Sequence, residues 1–319
     1  MLAGAAHGYF PIGMYGVDDP AVLPFLREAG FNAVQSYRET AAVERALLAA
    51  ARRQGFRVLA RPAGLMAEGR AVPDPRGVAG WYLVDEPDVS RIAPAAISAR
   101  GEAVRRWAPG TVTALVVGDG RAATRYAGCA DVVMVDWYPV PHLSLGSVGD
   151  HVRWTAEAAG GKPVWAVLQA FDWRDSPQRD PRKKRIGRFP TGVEIRCMTA
   201  QALIEGAHGI WYFMWQKPGG LTLRDLPEWW WPVAAAARDL RDLEPILDRG
   251  VAGPVRRWPE GGASRTWMYR GRAWTIAVNP GKRAVPVPGW MRRGRPVFTP
   301  PADPGFLEPG GVRVAVANE

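Results

Sequence analysis

The sequence is nearly free of cysteine. Cys129 and Cys197 are the only two in 319 residues, which excludes a disulfide framework, and their separation matches no zinc-ligand spacing. Both read as small apolar residues on helices. Histidine is as sparse, with four residues and no HxH or HExxH arrangement, so neither a metal site nor a cofactor is expected. No apolar run approaches the roughly 18–20 residues of a membrane span. The opening MLAGAAHGYF lacks the positively charged region of a secretory signal, and suits either a cytosolic start or a mature secreted chain with an added Met. No glycine-rich phosphate loop follows the first apolar run, which argues against a dinucleotide-binding open sheet.

What is present is an ordinary globular composition, 47% apolar and 23% charged, with length enough for a barrel of about 250 residues and a small second unit. The net charge of +10 is unevenly spread: residues 251–319 hold eleven Arg and Lys against four Asp and Glu. A second basic cluster, RDPRKKRIGR, spans 179–188. Such patches attract polyanions, but no nucleic-acid-binding motif accompanies them, and no nucleic-acid partner is expected. The basic tail either caps the larger unit or recruits an acidic polymer.

Short apolar or β-branched runs alternate with longer helical stretches, the signature of repeated βα units. Strands are expected at 8–17, 32–37, 56–62, 78–87, 111–118, 131–139, 162–171 and 209–215. Helical connections lie between them, and a last helix covers 227–247. Asp19 and Pro20 open the first helix and Gly55 closes the second. Eight such units predict an α/β chain folded as a (β/α)8 barrel over residues 1–250. Residues 251–319, rich in Gly, Pro and short alternating runs such as SRTWMYR and VRVAVAN, predict a small antiparallel β domain.

In such a barrel, chemistry collects where strands end. The stretch GWYLVDEPD, 80–88, runs from buried apolar residues straight into Asp85 and Glu86, and a carboxylate at the edge of a core needs a reason. Other strand ends carry Tyr15, Tyr37, Arg61, Asp136–Trp137–Tyr138, Gln169, Phe171–Asp172 and Trp215–Gln216. Aromatic rings beside carboxylates suit a sugar site: rings stack on the apolar faces of pyranoses, and carboxylates supply acid–base or nucleophilic chemistry. Fifteen tryptophans point the same way, although WWW at 229–231 opens a helix and reads as packing surface.

The pieces LREAGFNAVQSY, GWYLVDEPD, DVVMVDWYPV, KPVWAVLQAF and EIRCMTAQALIEGAHGIWYFMW resemble the (β/α)8 glycoside hydrolases of the β-galactosidase and cellulase clan. DEP after the fourth strand lies where that clan carries NEP, whose Glu is the general acid/base. The resemblance therefore implies that Glu86 is the acid, and an apolar surround with the adjacent Asp85 charge would favour its protonated form. It also implies a nucleophilic Glu at the end of the seventh strand, where this chain has Gln169. Asp136 is then the leading second carboxylate and Asp172 the next. Neither holds the usual nucleophile position, so a wide gap to Glu86 and an inverting reaction are expected.

Glu86, Asp136 and Gln169 should share one rim. Asp85, on the opposite face of the strand from Glu86 by alternation, should hold a backbone group or Arg61. Arg61 in turn is either a buried structural residue or a ligand for an acidic sugar. Tyr37, Arg61, Asp85, Trp137, Tyr138, Gln169, Phe171 and Trp215 are the expected substrate-binding residues. The expected function is cleavage of glycosidic bonds, with a non-catalytic carbohydrate-binding barrel as the alternative. A secreted or periplasmic protein is expected over a cytoplasmic one, and the oligomeric state is not legible.

Overall fold

The computed structural model describes residues 8–38, 40–69, 74–176, 186–292, 295–296 and 305–318. Most of the basic stretch 179–188 lies outside them. Eight parallel strands close into a barrel: β1 (Ile12–Tyr15), β2 (Ala33–Gln35), β3 (Arg57–Ala60), β4 (Val78–Val84), β5 (Thr113–Val117), β6 (Val132–Trp137), β7 (Val164–Gln169) and β8 (Ile210–Phe213), with β8 pairing back onto β1. The α-helices of the barrel are α1 (Leu23–Glu28), α2 (Ala41–Gln54), α3 (Pro62–Ala67), α4 (Pro94–Trp107), α5 (Ala123–Tyr126), α6 (Gly146–Ala159), α7 (Gly192–Ile204) and α8 (Pro227–Arg249), and a short α9 (Gly289–Arg292) follows in the C-terminal part. The chain is a (β/α)8 barrel followed by small antiparallel sheets.

Local chemistry explains the element ends. Asp19 caps a short 3-10 turn ahead of α1, its carboxylate accepting from the Ala21 N–H at 2.8 Å with Pro20 at the first position. Thr40 caps α2, and Gly55 ends it in a left-handed conformation, φ 71°. Thr191 and Glu194 form a reciprocal capping box on α7.

Alternation along each strand sorts side chains into two layers. Tyr15, Ala33, Leu59, Tyr82, Ala114, Val116, Met134, Trp165, Val167 and Trp211 fill the barrel interior, while their neighbours pack outward on the helices in one large cluster. Small residues in the interior make room for large ones. A Cβ at Gly13 would stand 2.0 Å from the Trp211 ring, so only glycine allows the indole to lie there. The tryptophans at the start of α8 split: Trp230 stacks on Phe25 and Phe31, Trp229 stacks on Phe189, and Trp231 is exposed.

After α8 come β9 (Val251–Ala252), β10 (Arg256–Arg257), β11 (Ala263–Tyr269), β12 (Arg272–Val278), β13 (Val285–Pro286), β14 (Arg295–Pro296), β15 (Phe306–Leu307) and β16 (Val312–Asn318). A sheet runs β10-β11-β12-β16-β14, with β9 also paired to β11, and β13 pairs with β15. The sheet lays Trp267, Ile276, Val278 and Val314 into the same apolar cluster as the outer barrel layer. Glu205, at the C-terminal end of α7, takes a bidentate ion pair from Arg257 at 2.7 and 2.8 Å.

Candidate active site

Glu86 and Asp136 meet at the C-terminal rim of the barrel. Asp136 continues the inward phase of Val132 and Met134 on β6 and is 8% exposed. Glu86 reaches the same place by a different route. β4 ends at Val84 after a register shift against β5 between Tyr82 and Val84, and Glu86 then takes a left-handed backbone, φ 40°. Alternation no longer applies beyond Val84. Asp85 and Glu86, expected on opposite faces, both act on the Asp136 carboxyl.

The electrostatics follow from that crowding. Burial raises the Asp136 carboxyl well above the usual carboxylate range, and the Glu86 and Asp85 charges raise it further; Glu86 lies within hydrogen-bond reach of it, as does the Tyr138 hydroxyl. Two carboxyl groups that close share a proton, and burial favours its residence on Asp136. This departs from expectation in two ways. Asp136 was expected to stand across a wide gap from Glu86, yet it is in contact with it. As the second carboxylate it was also expected to serve as an inverting base or a repositioned nucleophile, both of which need it charged, yet its surroundings favour the protonated form.

Asp85 is raised by burial and pulled back by the Tyr82 hydroxyl, 2.5 Å from its Oδ1, and by the charge of Arg61. The Arg61 guanidinium lies over the Tyr37 and Tyr82 rings, 5.1 Å from each. An aromatic wall surrounds the carboxylates. Tyr15 lies 5.8 Å from Tyr37 and 6.3 Å from Tyr82, and Tyr138 stacks on Phe213 at 5.6 Å and meets Phe171 edge-on at 5.1 Å. Burial keeps the phenols of Tyr15, Tyr82 and Tyr138 protonated, and the Asp85 charge reinforces this in each. Among the described residues no set of three His, Cys, Asp or Glu is arranged to hold a metal ion.

Several expected residues are employed elsewhere. Gln169 is fully buried at the end of β7, where its amide accepts from the Val140 N–H at 2.9 Å and donates to the Val140 and Phe171 carbonyls at 2.8 and 3.2 Å. It ties the loop after β6 to the loop after β7, and its amide is taken up by the backbone. Trp137 faces outward, stacks on His151 at 3.5 Å and donates to the Ser147 hydroxyl on α6. Trp215 is 4% exposed and packs on Phe25 and Trp230 outside the barrel. Asp172 caps a 3-10 turn: burial pushes its carboxyl up, but hydrogen bonds from Arg174 outweigh that and hold it below the usual range.

Of the expected residues, Glu86, Asp136, Asp85, Tyr37, Arg61, Tyr138 and Phe171 come together. Tyr15, noted as a strand-end aromatic, joins them, as do Tyr82 and Phe213, which were not expected there. Tyr82 stands three residues before Asp85, out of phase with it, and Phe213 pairs with Gln169 across β7 and β8, so counting in twos from the strand-end carboxylates reaches neither.

No protein-family profile matches the sequence, and no curated protein sequence matches it. Solved structures do match in shape. The α-amylase of Geobacillus thermoleovorans complexed with acarbose superposes with a TM-score of 0.60 at 12% identity, covering 94% of this chain and 91% of that one. Amy13B of Eubacterium rectale gives 0.60 at 10%, over 98% and 95%. A GH30 endoxylanase of Clostridium papyrosolvens gives 0.52 at 11%, over 99% and 98%. At such identities the likeness speaks for architecture: this chain has the (β/α)8 barrel with C-terminal β sheets found in glycoside hydrolases.

Proposed function

We propose that the protein hydrolyses glycosidic bonds, with Glu86 delivering to the leaving oxygen the proton it shares with Asp136. The observation that carries this reading is the Glu86–Asp136 pair, set inside an aromatic wall at the barrel rim where chemistry collects. A single shared proton leaves the pair able to act as an acid near neutral pH. Asp85, held by Tyr82 and facing Arg61, is the remaining carboxylate of the cluster. It is the candidate to stabilise the developing oxocarbenium charge. With one proton on the Glu86–Asp136 pair, two charged carboxylates against the Arg61 guanidinium still leave the mouth net negative, which favours an uncharged sugar over a uronate.

A second reading has its own support. The closeness of Glu86 and Asp136 leaves no room between them for the water that an inverting enzyme places across about 6.5–9.5 Å. A barrel that binds sugar without cleaving it would need no such gap. A panel of α- and β-linked oligosaccharides, with reducing-end detection and parallel calorimetry, separates the two. On the first reading the wild type releases reducing ends, and Glu86→Gln lowers turnover by roughly 10²–10⁴ while still binding. Binding without turnover, in wild type and variant alike, supports the second reading. A Glu86→Gln variant as active as the wild type overturns the first.

A further inference from the structure

Asp88, two residues beyond Glu86, accepts hydrogen bonds from the Gly118 and Asp119 N–H groups, both at 3.0 Å. Those amides directly follow β5, so one carboxylate staples the loop after β4 to the loop after β5. The peptide groups around Glu86 are bound in the same way. Its N–H donates to the Val116 carbonyl at 3.1 Å, and its carbonyl accepts from the Ser90 N–H at 2.9 Å. The Pro87 carbonyl accepts from the Tyr126 hydroxyl at 3.2 Å.

The staple holds a conformation that a glutamate does not adopt unaided. A φ of 40° is disfavoured for any residue with a Cβ, and persists only where the surroundings over-determine it. The partner loop is shaped to match. A Cβ on Gly118 would stand 3.0 Å from Glu86 Oε1, so the carboxylate lies along a backbone kept bare. Moving either loop would move the carboxylate off Asp136.

We infer that Asp88 is a positioning residue: by pinning the Gly118 and Asp119 amides it fixes the left-handed backbone of Glu86 and brings its carboxylate onto Asp136. The catalytic consequence rests on the hydrolase reading above, whereas the contact between the two carboxyl groups is a property of the folded protein and can be measured without turnover.

The test is a carboxyl titration by carbon-13 NMR on protein labelled at Asp and Glu. The wild type, Glu86→Gln, Asp88→Ala, Asp88→Asn and Gly118→Ala are compared, with circular dichroism reporting fold. In the wild type Asp136 titrates above the ordinary carboxylate range. In Glu86→Gln that midpoint falls, by about one pH unit for the loss of a like charge in contact. Asp88→Ala should fall by a similar amount, because Glu86 is released from its position. Gly118→Ala should do so too, because the added Cβ displaces the carboxylate directly. Asp88→Asn keeps one acceptor oxygen and should lie between, and it decides the matter should Asp88→Ala fail to fold. Where turnover is measurable, the Asp88 variants should lower kcat with KM little changed. A folded Asp88→Ala variant, or a folded Asp88→Asn variant in its place, whose Asp136 titrates as in the wild type overturns the proposal. An inactive wild type with the raised Asp136 titration intact overturns the hydrolase reading and leaves the role of Asp88 standing.

Discussion

A carboxyl group that is 8% exposed and faces two other carboxylates is easier to bury neutral than charged, and Asp136 is such a group. Its folded pKa lies above its unfolded value, and the consequence for stability has a definite sign. Below the ordinary carboxylate pKa both states hold the proton, and the group has no effect. Above it the unfolded chain has released the proton while the folded protein keeps it, so stability falls as pH rises, until the folded group also ionises. Asp136→Asn removes this penalty and keeps a hydrogen-bonding amide against Glu86. It should raise stability at neutral pH by roughly 1–3 kcal/mol, the cost of a poorly satisfied buried polar group. Turnover, if present, should fall. Thermal melts from about pH 4 to about pH 9 check this: the decline toward high pH in the wild type should flatten in the variant. A variant less stable than the wild type at neutral pH would contradict the assignment of the proton to Asp136.

At the scale of single elements, β7 shows how a strand-end residue is mistaken for a site residue. Gln169 ends an apolar strand at the rim, continues the inward phase of Trp165 and Val167, and is polar, which are the features that mark a ligand-facing side chain. Its amide is nevertheless consumed by the Val140 and Phe171 backbone. Gln169→Glu therefore should not create a nucleophile. A carboxylate there would face two carbonyl oxygens with no proton to donate, and should destabilise the fold by at least about 2 kcal/mol, since each buried carbonyl left unpaired costs about 1–3. Chemical denaturation measures the loss, and a Gln169→Glu variant with gained activity and unchanged stability would refute the structural role. β4 gives the converse case. Alternation kept Asp85 and Glu86 apart only on the assumption that the strand continued. It stops at Val84, and the left-handed Glu86 turns back toward Asp136.

For the whole molecule, the C-terminal sheet and the barrel share one apolar cluster, and their one bidentate ion pair among the described residues couples α7 to β10. Glu205 is buried, whereas the Arg257 side chain is 56% exposed, so solvent screens part of the pair. Removing the arginine still leaves a buried carboxylate without its cation. Arg257→Ala should cost about 1–3 kcal/mol, below the value for a fully enclosed pair, and Glu205→Gln in the same background should recover part of it. Denaturant melts of the single and double variants read this directly; additive losses would show that the pair does not couple. Of the eleven basic residues in 251–319, Arg257 and Arg265 anchor the sheet, Arg265 donating to the Ile204 carbonyl of α7 at 3.4 Å as well as to the Gly253 carbonyl.

The sequence by itself determined the eight-unit alternation, the helix ends at Asp19 and Gly55, the rim on which Glu86 and Asp136 meet, and the sheet that follows the barrel. Each of these depends on periodicity or on the preferences of a residue and its near neighbours, which are written locally along the chain. Only the tertiary structure decided that Glu86 and Asp136 touch, that Tyr82 and Phe213 belong to the mouth, and that Trp137, Trp215 and Gln169 do not. Those outcomes depend on how far one loop reaches across to another. A break in alternation after Val84, the bare backbone of Gly118 and the free amides that Asp88 and Gln169 find are properties of pairs of loops distant in sequence, and no single segment encodes them.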